Sequence, residues 1–188
     1  MVAERIAEEW YVPIKEKKLT LREALQGMSD FKLEQNDVPL IIQLIENPKY
    51  NMLGIFPGRT SIQAHDCIHV LLGRGVLVKD EAFVIGFTMG SSRRMTTFRE
   101  KLFLFCSRYL YPEGYRFNED DAKVFKNGVR LSHIHRCLDL AHIDYEQYLD
   151  LPLERVRKKI GLDSNLIRAY YKLEKRTYPE IVECQRLI

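Results

Sequence analysis

The stretch SIQAHDCIHVLLGRGVLVKDEAF, residues 61–83, gathers the side chains of this chain best placed to do chemistry together. His65 and His69 stand four apart, Asp66 lies between them, and Glu81 follows twelve positions after His69. A helix advances about 100° per residue, which sets His69 about 40° and Asp66 about 100° from His65. All three fit one sector of a helix. Histidines at i and i+4 can turn both imidazoles to one point, the arrangement helix-borne metal sites use.

Gly75 is the midpoint between His69 and Glu81. A tight turn around Gly73-Arg74-Gly75 would fold the chain back and set Glu81 level with His69 on a facing helix. Two imidazoles, one or two carboxylates and an open position suit catalytic zinc or non-haem iron. An ordinary pair of helices is the competing interpretation. Five histidines in 188 residues produce such a spacing by accident, and acidic residues favour first turns. The apolar neighbours, among them Ile68, Val70, Leu71, Ala82 and Val84, favour ligation. Polar groups buried there need partners, and a shared cation is one.

A rival stripe is His135, Asp139 and His142, at i, i+4 and i+7 of a long helical pattern. It could form a second metal face, a surface meeting the first, or a solvated face. His133 points elsewhere. The four cysteines, Cys67, Cys106, Cys137 and Cys184, are spaced by 39, 31 and 47 residues. That matches no zinc or disulfide framework, and they are expected to be reduced and packed as small hydrophobes.

The elements that must position these groups have helical periodicity. The expected fold is all-α: a single-domain multi-helix bundle over residues 1–188, with the motif-bearing hairpin at about 60–92. Helices are expected over 2–18 with a kink at Pro13, after a Thr20–Glu23 capping box, and over 36–47. Thr60 with Gln63 would open the histidine helix, and Gly73 and Gly75 would end it. Residues 79–90 fit strand or helix by pattern, and their neighbours favour helix. Further helices are expected over 96–111 and from the Asn118 cap through Tyr148. A short basic one would start at Pro152 and close at Gly161. Asp163 would cap the last. Tyr170, Tyr171 and Tyr178 are expected in packing.

Composition excludes several classes. With 46% hydrophobic and 29% charged residues and a net charge of +3, the chain lacks the basic stripe of a nucleic-acid binder. No apolar run approaches the roughly 20 residues that span a bilayer. The first residues, MVAERIAEEW, lack a signal core and a transit-peptide composition. A cytoplasmic protein, touching the inner membrane face from one side, is the expectation.

His65-Asp66-Cys67-Ile68-His69, eleven residues and Glu81 fit H-D-x-x-H-x11-E. This resembles the signature of the coenzyme Q (ubiquinone) biosynthesis protein 4 family. HVLLGRG, residues 69–75, is similar to the segment that follows that motif. YEQYLDLPLERVRKKIGL, residues 145–162, is similar to the family's C-terminal Pro-Leu-Glu-x-Val-Arg stretch. The matched segments bracket about 100 residues. GRTSIQAHD departs from the family's usual lead into the motif, as does DEAFVIGFTMGSSRR, so the resemblance is that of a distant member or sister group.

The resemblance implies an all-helical protein that binds a divalent metal, usually called zinc, through the motif. It implies work on prenylated aromatic precursors of ubiquinone at a membrane face, either organising other biosynthetic enzymes or removing a ring carboxyl oxidatively. His65, His69 and Glu81 would be ligands, with Asp66 a ligand or an acceptor orienting an imidazole. Zinc has no redox chemistry of its own, so an oxidative step would need iron, manganese or substrate-driven electron flow. Phe83, Phe87, Met89, Phe103 and Phe105 are candidates to line a prenyl tunnel, against ordinary core packing. Arg93 and Arg94 could meet a lipid phosphate. Arg155, Arg157, Lys158 and Lys159 could meet anionic lipid, against a solvated face for both sets.

Three functions follow: a metal-dependent enzyme of quinone or prenyl-lipid metabolism, a non-catalytic lipid-binding scaffold, and a His-Asp phosphohydrolase. The last needs an upstream histidine, and none precedes His65. Expected partners are a prenylated lipid, other biosynthetic enzymes, a membrane surface and a second copy in a homodimer. Nucleic acid is not among them.

Overall fold

A computed structural model describes residues 10–28 and 55–188, with Ile42 and Ile45 between them. The described residues contain eight α-helices, with turns and 3-10 segments and no strand. They are α1 (Leu21–Gln26), α2 (Ile62–Leu72), α3 (Val78–Ser91), α4 (Thr97–Tyr109), α5 (Glu119–His135), α6 (Leu153–Ile160), α7 (Ser164–Thr177) and α8 (Val182–Gln185). None of them is long and apolar enough to cross a membrane.

The centre of the fold is α3, where every residue from Ala82 to Ser91 is buried. A helix apolar on all sides has no solvent face to present. Its main partner is α5, and glycines set how close the two come. A Cβ on Gly86 would lie 2.2 Å from the Phe125 carbonyl oxygen, and one on Gly128 2.7 Å from that of Phe83. Ring stacking adds to the core: Phe103 of α4 lies on Phe125 with centroids 4.7 Å apart.

Several expected caps are present. Thr20 and Glu23 form the capping box of α1, Asn118 caps α5, Asp163 caps α7, and Gly161 ends α6 in the left-handed conformation. The start of α2 is displaced by one residue: Ser61, not Thr60, accepts the Ala64 N–H. The four cysteines form no disulfide and are buried, and Tyr171 is wholly buried against Phe83.

Three expected helices need correction or lie elsewhere. The predicted helix 36–47 falls outside the described residues, apart from Ile42 and Ile45. Residues 10–19 form turns, not the end of a first helix. Pro13 supplies no donor there, and the Glu16 carboxylate instead accepts the N–H groups of Lys17, Lys18 and Leu19. The long helix stops at His135, because Arg136 is left-handed and Leu138 N–H turns to the Ile160 carbonyl. Beyond it, Asp139 and Asp144 accept backbone N–H groups of Ala141 and Glu146. Such local bonds compete with a helix.

Candidate metal centre

The helix α2 ends at Gly73, which holds the left-handed φ of 73° that most residues avoid. The chain then turns through Arg74–Leu77 into α3, whose first turn carries Glu81. This brings the Glu81 carboxylate to the His pair of α2. His65 Nε2 lies 2.9 Å from Glu81 Oε2, His69 Nε2 3.1 Å from Glu81 Oε1, and the two Nε2 atoms 3.0 Å apart. One ligand atom from each of the three residues lies within 4.8 Å of the other two. Asp66 is not part of this group.

The protons of this cluster carry information. The Nδ1–H of His69 donates to the Gly75 carbonyl at 2.6 Å. A neutral His69 ring then has a bare lone pair on Nε2, aimed at a carboxylate oxygen and at the other imidazole. An Nε2–H on His65 would satisfy only one of these neighbours. With both rings neutral the group is short of positive charge at its centre, and a proton or a metal cation makes up the deficit. A carbonyl acceptor on the far nitrogen is also how metal-bound histidines are oriented.

Burial is graded across the cluster. The His69 side chain keeps 1% of its surface, His65 22% and Glu81 30%. The exposed side is therefore that of His65 and Glu81. Burial raises the Glu81 pKa, but the His69 and His65 rings facing it pull harder and hold it well below the usual carboxylate range.

Around the turn lies a buried ion network absent from the sequence-based expectations. Arg74 is fully buried, forks onto Glu174 with bonds of 2.8 and 2.6 Å, and lies between the Phe83 and Tyr171 rings. Asp80, also fully buried, is bonded by Arg186 of the C-terminal segment and lies 3.7 Å from Arg74. Its burial pushes the carboxyl pKa up against the pull of both guanidiniums. Arg186 packs on the turn so closely that a Cβ on Gly75 would be 2.1 Å from its Nη2. Arg74, flanked by two glycines, was the one visible sign of this network. Glu174 and Arg186 are too far along the chain for spacing to connect them.

Other candidates lie elsewhere. Comparison with protein-family models, with curated proteins and with solved structures finds no match. The assignment of chemistry therefore depends on the side chains themselves. Phe83, Phe87 and Met89 are packed in the core: Phe83 lies against Tyr170 and Tyr171, and Phe87 against His135. Phe103 is buried as well, whereas Phe105 is 54% exposed. Arg93 and Arg94 are exposed, with Arg93 donating to the His133 carbonyl.

Arg157 is a correction. It is 2% exposed, and its guanidinium donates to the carbonyls of Val70, Leu71, Ile14 and Glu16, so it cannot touch a membrane. Burial lowers its pKa to about 10, which leaves it charged at neutral pH. Arg155, Lys158 and Lys159 remain on the surface of α6. The His135–Asp139–His142 stripe is dispersed, because the helix that would align it ends. His142 Nδ1 meets Asp139 at 3.0 Å on the surface, and His135 lies against the Asp163 carbonyl.

Proposed function

We propose that this chain binds one divalent cation through His65, His69 and Glu81. Zinc is the first choice for two imidazoles and a carboxylate, with iron or manganese as alternatives. The observation that carries the proposal is the convergence of Nε2, Nε2 and a carboxylate oxygen while the Gly75 carbonyl holds the opposite nitrogen of His69. Bound there, the cation supplies Lewis acidity toward an oxygen ligand such as water, phenolate or carboxylate. Glu81 stays ionised to hold it. His65 and Glu81 border the exposed side, from which such an oxygen approaches.

The H-D-x-x-H-x11-E spacing and the 145–162 segment support a role in ubiquinone or related prenyl-lipid biosynthesis, on a prenylated aromatic ring at the cytoplasmic membrane face. A metal-dependent modification or decarboxylation of that ring is the catalytic version. A non-catalytic lipid-binding scaffold is the alternative, and both versions need a place for the lipid. Phe83, Phe87 and Met89 are already engaged in packing, so a prenyl tail needs a seat other than the one they were expected to line.

The test is the metal content of protein purified without added metal. The expected value is close to one ion per chain, falling to background in H65A/H69A. If wild-type protein carries none, and zinc, iron and manganese each leave its Tm unchanged, the metal proposal fails. If H65A/H69A loses metal but still restores growth of a quinone-deficient host, the scaffold version stands.

A further inference from the structure

Helix α4 presents an apolar stripe to solvent. Phe98, Phe105 and Tyr109 are 71%, 54% and 59% exposed, and Leu102 is half-buried between them. At about 100° per residue, positions 98, 102, 105 and 109 fall within a sector of about 60°. The opposite face carries Phe103, Cys106 and Ser107 into the core. The helix thus has two apolar faces, only one of which is covered among the described residues. Isolated exposed hydrophobics are ordinary; aligned aromatic ones mark an interaction surface.

Charge indicates what covers it. Lys101 and Arg108 run along one border of the stripe, and the exposed Arg94 precedes the helix. Arg108 lies over the Tyr109 ring at 5.8 Å. Glu119 neutralises part of Arg108 at 3.4 Å, while Glu100 sits about 170° round the helix from the centre of the stripe. Aromatic side chains bordered by cations are the composition of helices that lie in a bilayer interface, and anionic headgroups attract such cations.

The other basic surface has a different build. On α6 the apolar residues Leu153, Val156 and Ile160 are all buried. Its exposed side therefore has Arg155, Lys158 and Lys159 but no apolar group to insert, and Glu154 is engaged by Lys17 at 2.8 Å.

We infer that α4 docks on an anionic lipid bilayer, with Phe98, Phe105 and Tyr109 entering the interface and Lys101 and Arg108 meeting headgroup phosphates. This deepens the membrane-face reading above by naming the surface, and it is independent of the metal centre.

The experiment is sedimentation of the full chain with vesicles of phosphatidylcholine alone or with 30% phosphatidylglycerol. Binding is expected on the anionic vesicles and weak on the neutral ones. F98S/F105S should lower the partition coefficient by about 100-fold, a factor of about ten per ring withdrawn. K101E/R108E and K158E/K159E change net charge equally, so their comparison isolates position. The first should lose most binding and the second little. Both replaced rings are largely exposed, and an unchanged thermal melt confirms folding. Absence of binding to either vesicle overturns the inference, as does equal loss in the two charge variants. A dimer that F98S/F105S dissociates, without vesicle binding, also overturns it and assigns the stripe to contact between copies. Metal loss in H65A/H69A should leave vesicle binding unchanged, so the two proposals fail separately.

Discussion

Replacing Gly75 with alanine tests the link between the turn and the metal centre. The new Cβ would lie 2.1 Å from Arg186 Nη2 and 2.7 Å from the Trp10 carbonyl oxygen. Ordinary contact requires about 3.5 Å, so the turn must retreat by about 1 Å or Arg186 must leave Asp80. Retreat lengthens the 2.6 Å bond from His69 to the Gly75 carbonyl to about 3.6 Å, beyond hydrogen-bond range. Losing such an orienting partner weakens metal affinity by about 10- to 100-fold, or about 1.4–2.7 kcal/mol. Overpacking adds about 1–3 kcal/mol of destabilisation in the metal-free protein, a fall in Tm of about 2–12 °C for a chain of this size. Competition titration of Zn2+ against a chelator measures the first effect and a melt in excess chelator the second. If G75A is destabilised but binds zinc as tightly as wild type, the Gly75 carbonyl does not govern His69.

The remaining predictions concern charge. Because His69 and His65 lower the Glu81 pKa, the folded state binds a proton at that carboxyl less readily than the unfolded chain. Its stabilising effect is therefore present above the unfolded pKa of about 4.3 and is lost as pH falls toward the lower folded value. Metal-free wild type should accordingly lose stability more steeply than E81Q in acid unfolding from about pH 5 downward; parallel curves would contradict this. Metal binding should displace protons from the His–Glu cluster; calorimetric enthalpies that do not vary with buffer ionisation enthalpy would argue against it. R157A removes the guanidinium donor from the carbonyls of Val70, Leu71, Ile14 and Glu16. It should cost about 3–5 kcal/mol by denaturant unfolding, whereas K159A should stay within about 0.5 kcal/mol. E174A removes both forked bonds from the buried Arg74 guanidinium and leaves it Asp80 at 3.7 Å; it should cost about 3–5 kcal/mol.

Local signals in the sequence located what local physics determines. The caps Thr20, Asn118 and Asp163, the left-handed stops Gly73 and Gly161, and the i, i+4 histidines are each decided within a few residues. Periodicity alone extended α5 too far, because residues 138–148 keep apolar positions while the Asp139 and Asp144 side chains take the backbone bonds. It also assigned Arg157 to a surface, since its neighbours Arg155, Lys158 and Lys159 are exposed. The carbonyls that draw Arg157 inward belong to residues 86 to 143 positions earlier. No spacing rule reaches that far. The same distance hides the Glu174–Arg74 and Arg186–Asp80 pairs.

The end of α2 is completed from far downstream. Its last carbonyls, those of Val70, Leu71 and Leu72, are met by Arg157 and by the Tyr171 hydroxyl. Those donors leave the ribosome some 90 to 100 residues after the acceptors they serve. A nascent chain halted before residue 157 would hold both histidines, Glu81 and the local Gly73 stop yet lack the donors that tie this helix end into the core, because contacts of such long range form late. Metal capture should therefore begin only as synthesis nears its end, and time-resolved uptake during translation would record that delay.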